Sequence, residues 1–368
     1  MTGKQRALAA LRFEPTDRIP ILGGFVAHAE WLRRNSGQDP WADPAGAALA
    51  AAKAVGVDLI IQIVTPKPRE ASVASTDPYR ESQFSPQGEI AFKSPEDVRD
   101  HVAAFPAPEE VRAGFDFDAA RDGILAAWRS YDAMAGDDLL ILPYAQASDV
   151  GFMYYSQFGY ENYYMALALY PEVMAGLYRH GGEWARCRNE AFAQAVQQSD
   201  LPPFVYIGQD ICDNSGPMVS LATLDELYFP QLKYALEPLT DAGIKSVWHS
   251  DGNINPILER LLDCGVDGFQ GLQEDTYLPE HQRVRLERLA ATKARTGDPL
   301  IIFGSVSVRE VLPFGTVDDV KRDVERCIDA CAGRGGFFLA PTSTAGPDIP
   351  CENLDAFFGH GREYGEGK

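Results

Sequence analysis

The sequence predicts a single-domain α/β protein, a closed (β/α)8 TIM barrel spanning residues 1–368. Three observations predict it. Apolar runs of strand length alternate with helical patterns along nearly the whole chain, with no break in composition. The run Val57 to Val64 is nearly all apolar, as strands covered on both faces tend to be. A chain of 368 residues is also long enough to bury one barrel core. An open doubly wound sheet is the alternative, but no Gly-x-Gly-x-x-Gly follows the first strand to support it.

Residues 2–12 read as a helix stopped by Pro15, and Arg18 to Phe25 as a buried strand opening into a glycine-rich loop. Helical patterns at about 28–36 and 43–55 lead to a second strand, Val57 to Val64. The polar segment 78–95, with a turn at Pro86-Gln-Gly88, is expected to form a hairpin over one end of the fold. A helix over 107–134 precedes a strand from Asp138 to Pro143. The next sixty or so residues are helical and include Phe152, Tyr154, Tyr155, Phe158, Tyr160, Tyr163 and Tyr164, suited to core packing or to the wall of an apolar pocket. From the strand at Leu201 to Asp210 the period is regular. Helices at 222–242, 254–263, 281–296 and 316–333 separate strands at 244–249, 266–272, 299–304 and 336–340, and a last helix begins near 352.

A net charge of −20 argues against nucleic acid or an anionic membrane surface as a partner, since both need a basic footprint. No apolar run approaches the ~20 residues needed to span a bilayer. The N-terminal stretch has no signal-peptide core. Six cysteines without paired CxxC spacing fit a reducing, cytoplasmic setting, with Cys327 and Cys331 expected to pack on a helix.

In a parallel barrel the chemistry gathers where strands end. The strand at 244–249 ends in His249-Ser-Asp-Gly-Asn253, where the two-residue period sends the imidazole and the Asp251 carboxylate to the same side. They are positioned to share a metal, a proton or a substrate hydrogen bond, although Asp-Gly-Asn is also ordinary turn chemistry. The other strand ends contribute His28, Gln209, Asp210, Cys212, Gln270, Gln273, Glu274, Ser305, Ser307 and Thr342 to Thr344. Such a rim can do general acid–base work or hold one divalent metal through nitrogen and oxygen. No phosphate-binding Gly-Lys-Ser/Thr loop, Gly-x-Ser-x-Gly elbow or His-Glu-x-x-His is present.

Several of these stretches resemble the uroporphyrinogen decarboxylase superfamily, and in particular its corrinoid-linked methyltransferase branch. They are Lys4-Gln-Arg-Ala-Leu-Ala-Ala-Leu-Arg-Phe-Glu-Pro-Thr-Asp-Arg-Ile-Pro20, Gly208-Gln-Asp-Ile-Cys-Asp-Asn-Ser-Gly-Pro-Met-Val-Ser220, His249 to Asn253, Val311 to Val320, Gly336 to Pro341 and Pro350 to Asn353. The resemblance implies a TIM barrel that moves a methyl group between a small methylated substrate, such as an aryl methyl ether or methylamine, and a corrinoid or folate acceptor. It also implies zinc, a cobalamin carried by a separate corrinoid protein, and in some members a homodimer.

In that branch His-x-Cys and a later cysteine hold the zinc, and the matching cysteine positions here are Asp251 and Ser343. The expected ligands are therefore His249, Asp251 and Glu274, with Asp210 or Cys212 as alternatives to Glu274, and His249, Asp251 and Asp210 are the expected catalytic residues. Expected contacts to substrate or cofactor are His28, Gln209, Asn253, Gln273 and Tyr154. The decarboxylase branch carries an arginine-bearing Met-Arg-Gln-Ala-Gly-Arg loop after the first strand. Gly23 to Glu30 stands there instead, which argues against uroporphyrinogen decarboxylation itself. Two other readings remain: a metal-independent decarboxylase or lyase acting on a small aromatic or pyrrolic acid, and a non-catalytic ligand-binding homologue.

Overall fold

Eight short parallel strands form the centre of the molecule. They are β1 Leu22–Gly23, β2 Leu59–Ile60, β3 Leu140–Ile141, β4 Phe204–Gly208, β5 Lys245–His249, β6 Gly268–Gln270, β7 Ile301–Val306 and β8 Phe337–Pro341. The structure is a computed structural model that describes residues 1–67, 90–142 and 147–368. β1, β2 and β3 pair in that order, as do β4 through β8. A parallel bridge between Ile21 and Leu339 joins β8 to β1, with the Leu339 amide donating to the Pro20 carbonyl at 2.9 Å. Among the described residues only the joint between β3 and β4 lacks strand pairing, and side chains including Leu142, Phe192 and Phe204 line that seam. This is the TIM-barrel arrangement, with side chains lining the one seam where the described residues show no strand pairing.

The strands are apolar because both faces are covered. All of β7 and β8 is buried. The outer helices turn a narrow apolar stripe inward. Helix Val317–Cys331 is capped by Thr316 and Asp319 and buries Val320, Val324, Cys327, Ile328 and Cys331, which repeat at helical spacing. All six cysteines are free thiols.

Most of the elements read from the sequence are present, with shorter strands and some breaks. The helix expected over 107–134 is two, Pro108–Gly114 and Phe117–Ala135, because Phe115 is extended and Asp116 caps the second through the Ala119 amide. The 222–242 helix contains a wide π turn, Leu224–Tyr228, just before Pro230, which has no N–H to continue the ladder. The 281–296 helix reduces to a 3-10 turn, Glu280–Gln282, and Leu286–Ala291. The expected 78–95 hairpin lies outside the described residues up to 89, and residue 95 begins helix Pro95–Ala103.

Candidate active site

β4, β5 and β6 are paired so that Gly208, His249 and Gln270 stand side by side at their C-terminal ends. Gly208 permits this close approach. A β-carbon there would lie 2.1 Å from the His249 carbonyl oxygen and 2.4 Å from its amide, and its φ of 148° disfavours any other residue. Just past these positions Asp210 and Asp251 converge on the histidine. The Asp251 amide donates to Asp210 Oδ1 at 2.9 Å, and His249 Nε2 is 3.5 Å from the same oxygen. Ligand atoms of Asp210, His249 and Asp251 all lie within 4.8 Å of one another.

The hydrogen bonds around His249 determine which of its nitrogens faces that group. The Thr342 carbonyl can only accept, and Gln270 Nε2 donates to it at 2.9 Å. Gln270 Oε1 is thereby turned inward, where it accepts from the Tyr206 hydroxyl at 2.8 Å and lies 2.5 Å from His249 Nδ1. An amide oxygen cannot donate, so Nδ1 carries the hydrogen in that contact. In the neutral ring Nε2 is then a bare lone pair facing a carboxylate oxygen. Two electron-rich atoms at that distance call for a cation or a proton between them.

Burial pushes the Asp251 carboxyl above its usual range. His249 and Arg309 oppose that shift, while the charges of Asp210 and Asp275 add to it. The Tyr155 hydroxyl donates to the Asp210 carbonyl at 3.1 Å, with Tyr160 stacked on its ring at 4.5 Å. Burial, followed by the nearby Asp210 charge, holds the Tyr155 hydroxyl far above its ordinary range, so it stays a donor. Behind β4, Asp149 accepts from the Gly208 amide at 2.8 Å and from Gln209 Nε2 at 3.1 Å. Its carboxyl is pushed up to about 7 by burial, against the pull of those two donors.

Residues 208–364 match the uroporphyrinogen decarboxylase (URO-D) family. The match covers the C-terminal part of the barrel, from Gly208 at the end of β4 to Tyr364. A methylcobamide:CoM methyltransferase MtaA of Methanosarcina barkeri (strain Fusaro / DSM 804) is 26% identical over 191 residues, 50% of this chain and 52% of the relative. A second MtaA from Methanosarcina barkeri is 25% identical over 191 residues, with the same coverage. The chain thus spans about half the length of the curated relatives it matches. A solved methyltransferase from Methanosarcina mazei shares the fold, with a TM-score of 0.61, 18% identity and 99% of each chain covered. The curated relatives are methyltransferases, and the solved structure shows the shared fold. No helix among the described residues is long and apolar enough to cross a membrane.

Within this barrel the sequence-predicted residues separate into two groups. His249, Asp251 and Asp210 come together. Glu274 does not join them. Its carboxylate accepts from the Leu286 amide at 2.8 Å, from Ser305 at 2.9 Å and from Arg326 at 3.1 Å. Asp210, expected as a catalytic residue and as an alternative ligand, takes its place in the candidate ligand group.

His28 caps helix Ala29–Ser36, accepting the Trp31 amide on Nδ1 at 3.1 Å. Gln209 ties β4 to the preceding loop, with Nε2 on Asp149 and Oε1 on the amides of Phe152 and Met153. Asn253 accepts the Asn255 amide at 3.1 Å and donates weakly to the Ser215 carbonyl. Gln273 is buried with its Oε1 unpartnered. Tyr154 packs against Phe158, and it is Tyr155 that reaches Asp210. Cys212 is a buried thiol outside the ligand group, its acidity suppressed by burial.

Reading the sequence gave Gln270 a place on the rim without a role and Tyr155 a place in the aromatic wall without a partner, and missed Tyr206 and Asp149. Tyr206 had a usable signal: it lies two residues before Gly208 on the same strand and so shares its face.

Proposed function

We propose that this protein is a methyltransferase of the corrinoid-linked type. It moves a methyl group between a small methylated substrate and a corrinoid, carried by a separate protein, or a folate. The observation that carries this reading is the group of His249 Nε2 and two carboxylates at the barrel mouth, where metal chemistry belongs in this fold. The likeness to MtaA methyltransferases supports the same reaction class.

The residues present fit a divalent ion. A bare imidazole nitrogen and two carboxylates, with no lysine or arginine ion pair to either acid among the described residues, leave negative charge to be balanced. His249, Asp210 and Asp251 would hold the metal, which when bound supplies Lewis acidity to a substrate heteroatom. This nitrogen and oxygen set binds zinc less tightly than thiolates do, and admits harder ions. Gln270 and Tyr206 orient the imidazole. Tyr155, stacked on Tyr160, braces the Asp210 backbone, and the tyrosine-rich helices beside it exclude water from that flank.

Elemental analysis of protein purified without chelator, wild type beside His249→Ala, tests this. The expected result is close to one divalent ion per chain in the wild type, little in the variant, and methyl transfer from a methylated donor to cob(I)alamin that follows metal content. Absence of any bound zinc, cobalt, iron or manganese after incubation of the wild type with each would sink the metal-based reading.

A further inference from the structure

We propose that Gln270 is the positioning residue for His249: it commits the imidazole to the tautomer with hydrogen on Nδ1 and presents a bare Nε2 to Asp210 and Asp251. The metal consequence rests on the function proposed above, whereas the tautomer does not.

Gln270 is 1% exposed, and an amide is an expensive side chain to bury unless each polar atom finds a partner. Here each one does. Its nitrogen reaches the Thr342 carbonyl of the chain leaving β8, and its oxygen takes Tyr206 from β4 and His249 from β5. The amide therefore reads three strand ends at once, and its direction is set by the one group that cannot donate, the Thr342 carbonyl. The imidazole has little room to escape the arrangement. The next residue is Gly271, at φ 88°, where a β-carbon would lie 3.0 Å from His249 Nδ1 and 3.1 Å from Cε1, so this backbone packs directly on the ring. Without the Gln270 oxygen, the ring would be drawn to place its hydrogen on Nε2 and donate to Asp210, 3.5 Å away. That bond would close the donor group to any cation. The glutamine thus acts through the histidine, by keeping a lone pair aimed at the Asp210 carboxylate.

The test is the ring-nitrogen NMR spectrum of metal-free protein labelled with 15N-histidine, recorded at about pH 8, above the ordinary histidine range. His249 is assigned by its absence in His249→Gln. In the wild type, Nδ1 should carry the hydrogen and Nε2 should be bare. Gln270→Leu should move the hydrogen to Nε2 and weaken Co2+ binding about 10- to 100-fold, the range seen when a partner of a metal-bound histidine is lost. Gln270→Glu, which still accepts from Nδ1, should restore the wild-type tautomer, a rescue that a purely packing role does not predict.

Hydrogen on Nε2 in the wild type, or a Gln270→Leu variant with unchanged tautomer, overturns the proposal. If Gln270→Leu does not fold, the wild-type and Gln270→Glu spectra decide it. A wild type that binds no Co2+ but shows the expected tautomer and rescue removes the metal reading and supports this one. Co2+ binding equally tight in wild type and Gln270→Leu overturns the link from the tautomer to the metal and leaves the proposed function standing.

Discussion

Two buried acidic centres sit at opposite ends of the barrel and are balanced in opposite ways. At the N-terminal end Asp58, just before β2, is almost completely enclosed. It accepts from Arg6 at 2.6 Å, from both terminal nitrogens of Arg18 at 2.7 and 2.9 Å, and from the Ile21 amide at 2.8 Å. Asp267, just before β6, has the Ser246 amide at 3.0 Å and Lys245 at 3.4 Å. At the C-terminal end Asp210, Asp251 and Asp149 have amides and a histidine around them, and no lysine or arginine ion pair among the described residues. The lower centre is complete as it stands and holds the first strands together. The upper one is short of positive charge, which an evolved barrel retains where a ligand supplies it.

The largest expected effect breaks the lower centre. Asp58→Ala leaves two arginines facing each other in a buried site and should lower unfolding free energy by about 3–5 kcal/mol, read by denaturant melts, with metal binding of the folded fraction unchanged. A loss under about 1 kcal/mol would mean that the pairing is not what holds this end. The corresponding change at the mouth should act the other way. Asp251→Asn removes one of several crowded carboxylates, so apo stability should stay level or rise slightly. Affinity for Co2+ should fall at least about tenfold, equivalent to about 1.4 kcal/mol. A destabilisation as large as that of Asp58→Ala would erase the distinction between the two ends.

A pH titration sharpens it further. The Asp149 carboxyl, pushed up to about 7, keeps a proton in the folded chain that the unfolded chain releases near 4. Stability should therefore decline as pH rises from about 4 through about 7, and level off above that. Asp149→Asn should remove this part of the slope. An unchanged slope would show that Asp149 is ionised across the whole range. The smallest effect expected is on metal affinity in Glu274→Gln. The Glu274 carboxylate already serves Ser305, Leu286 and Arg326, so Co2+ binding should change by less than about threefold, within about 0.7 kcal/mol. A larger loss would bring Glu274 back as a ligand.

The sequence alone determined the succession of strands and helices, because each depends on a pattern a few residues long. It also determined that His249 and Asp251 share a face, through the two-residue period of a strand, and that aspartate rather than cysteine stands two residues after His249. Only the tertiary structure decided that Asp210 rather than Glu274 completes the group. Both acids follow a strand end and look equivalent in the chain. Their difference arises from the pairing of Gly208 with His249 across about 40 residues, and from Arg326, on a distant helix, engaging Glu274. The role of Gln270 was hidden for the same reason. Its partners come from β4, β5 and the end of β8, and the register that brings them together is a property of the assembled sheet rather than of any local stretch of sequence.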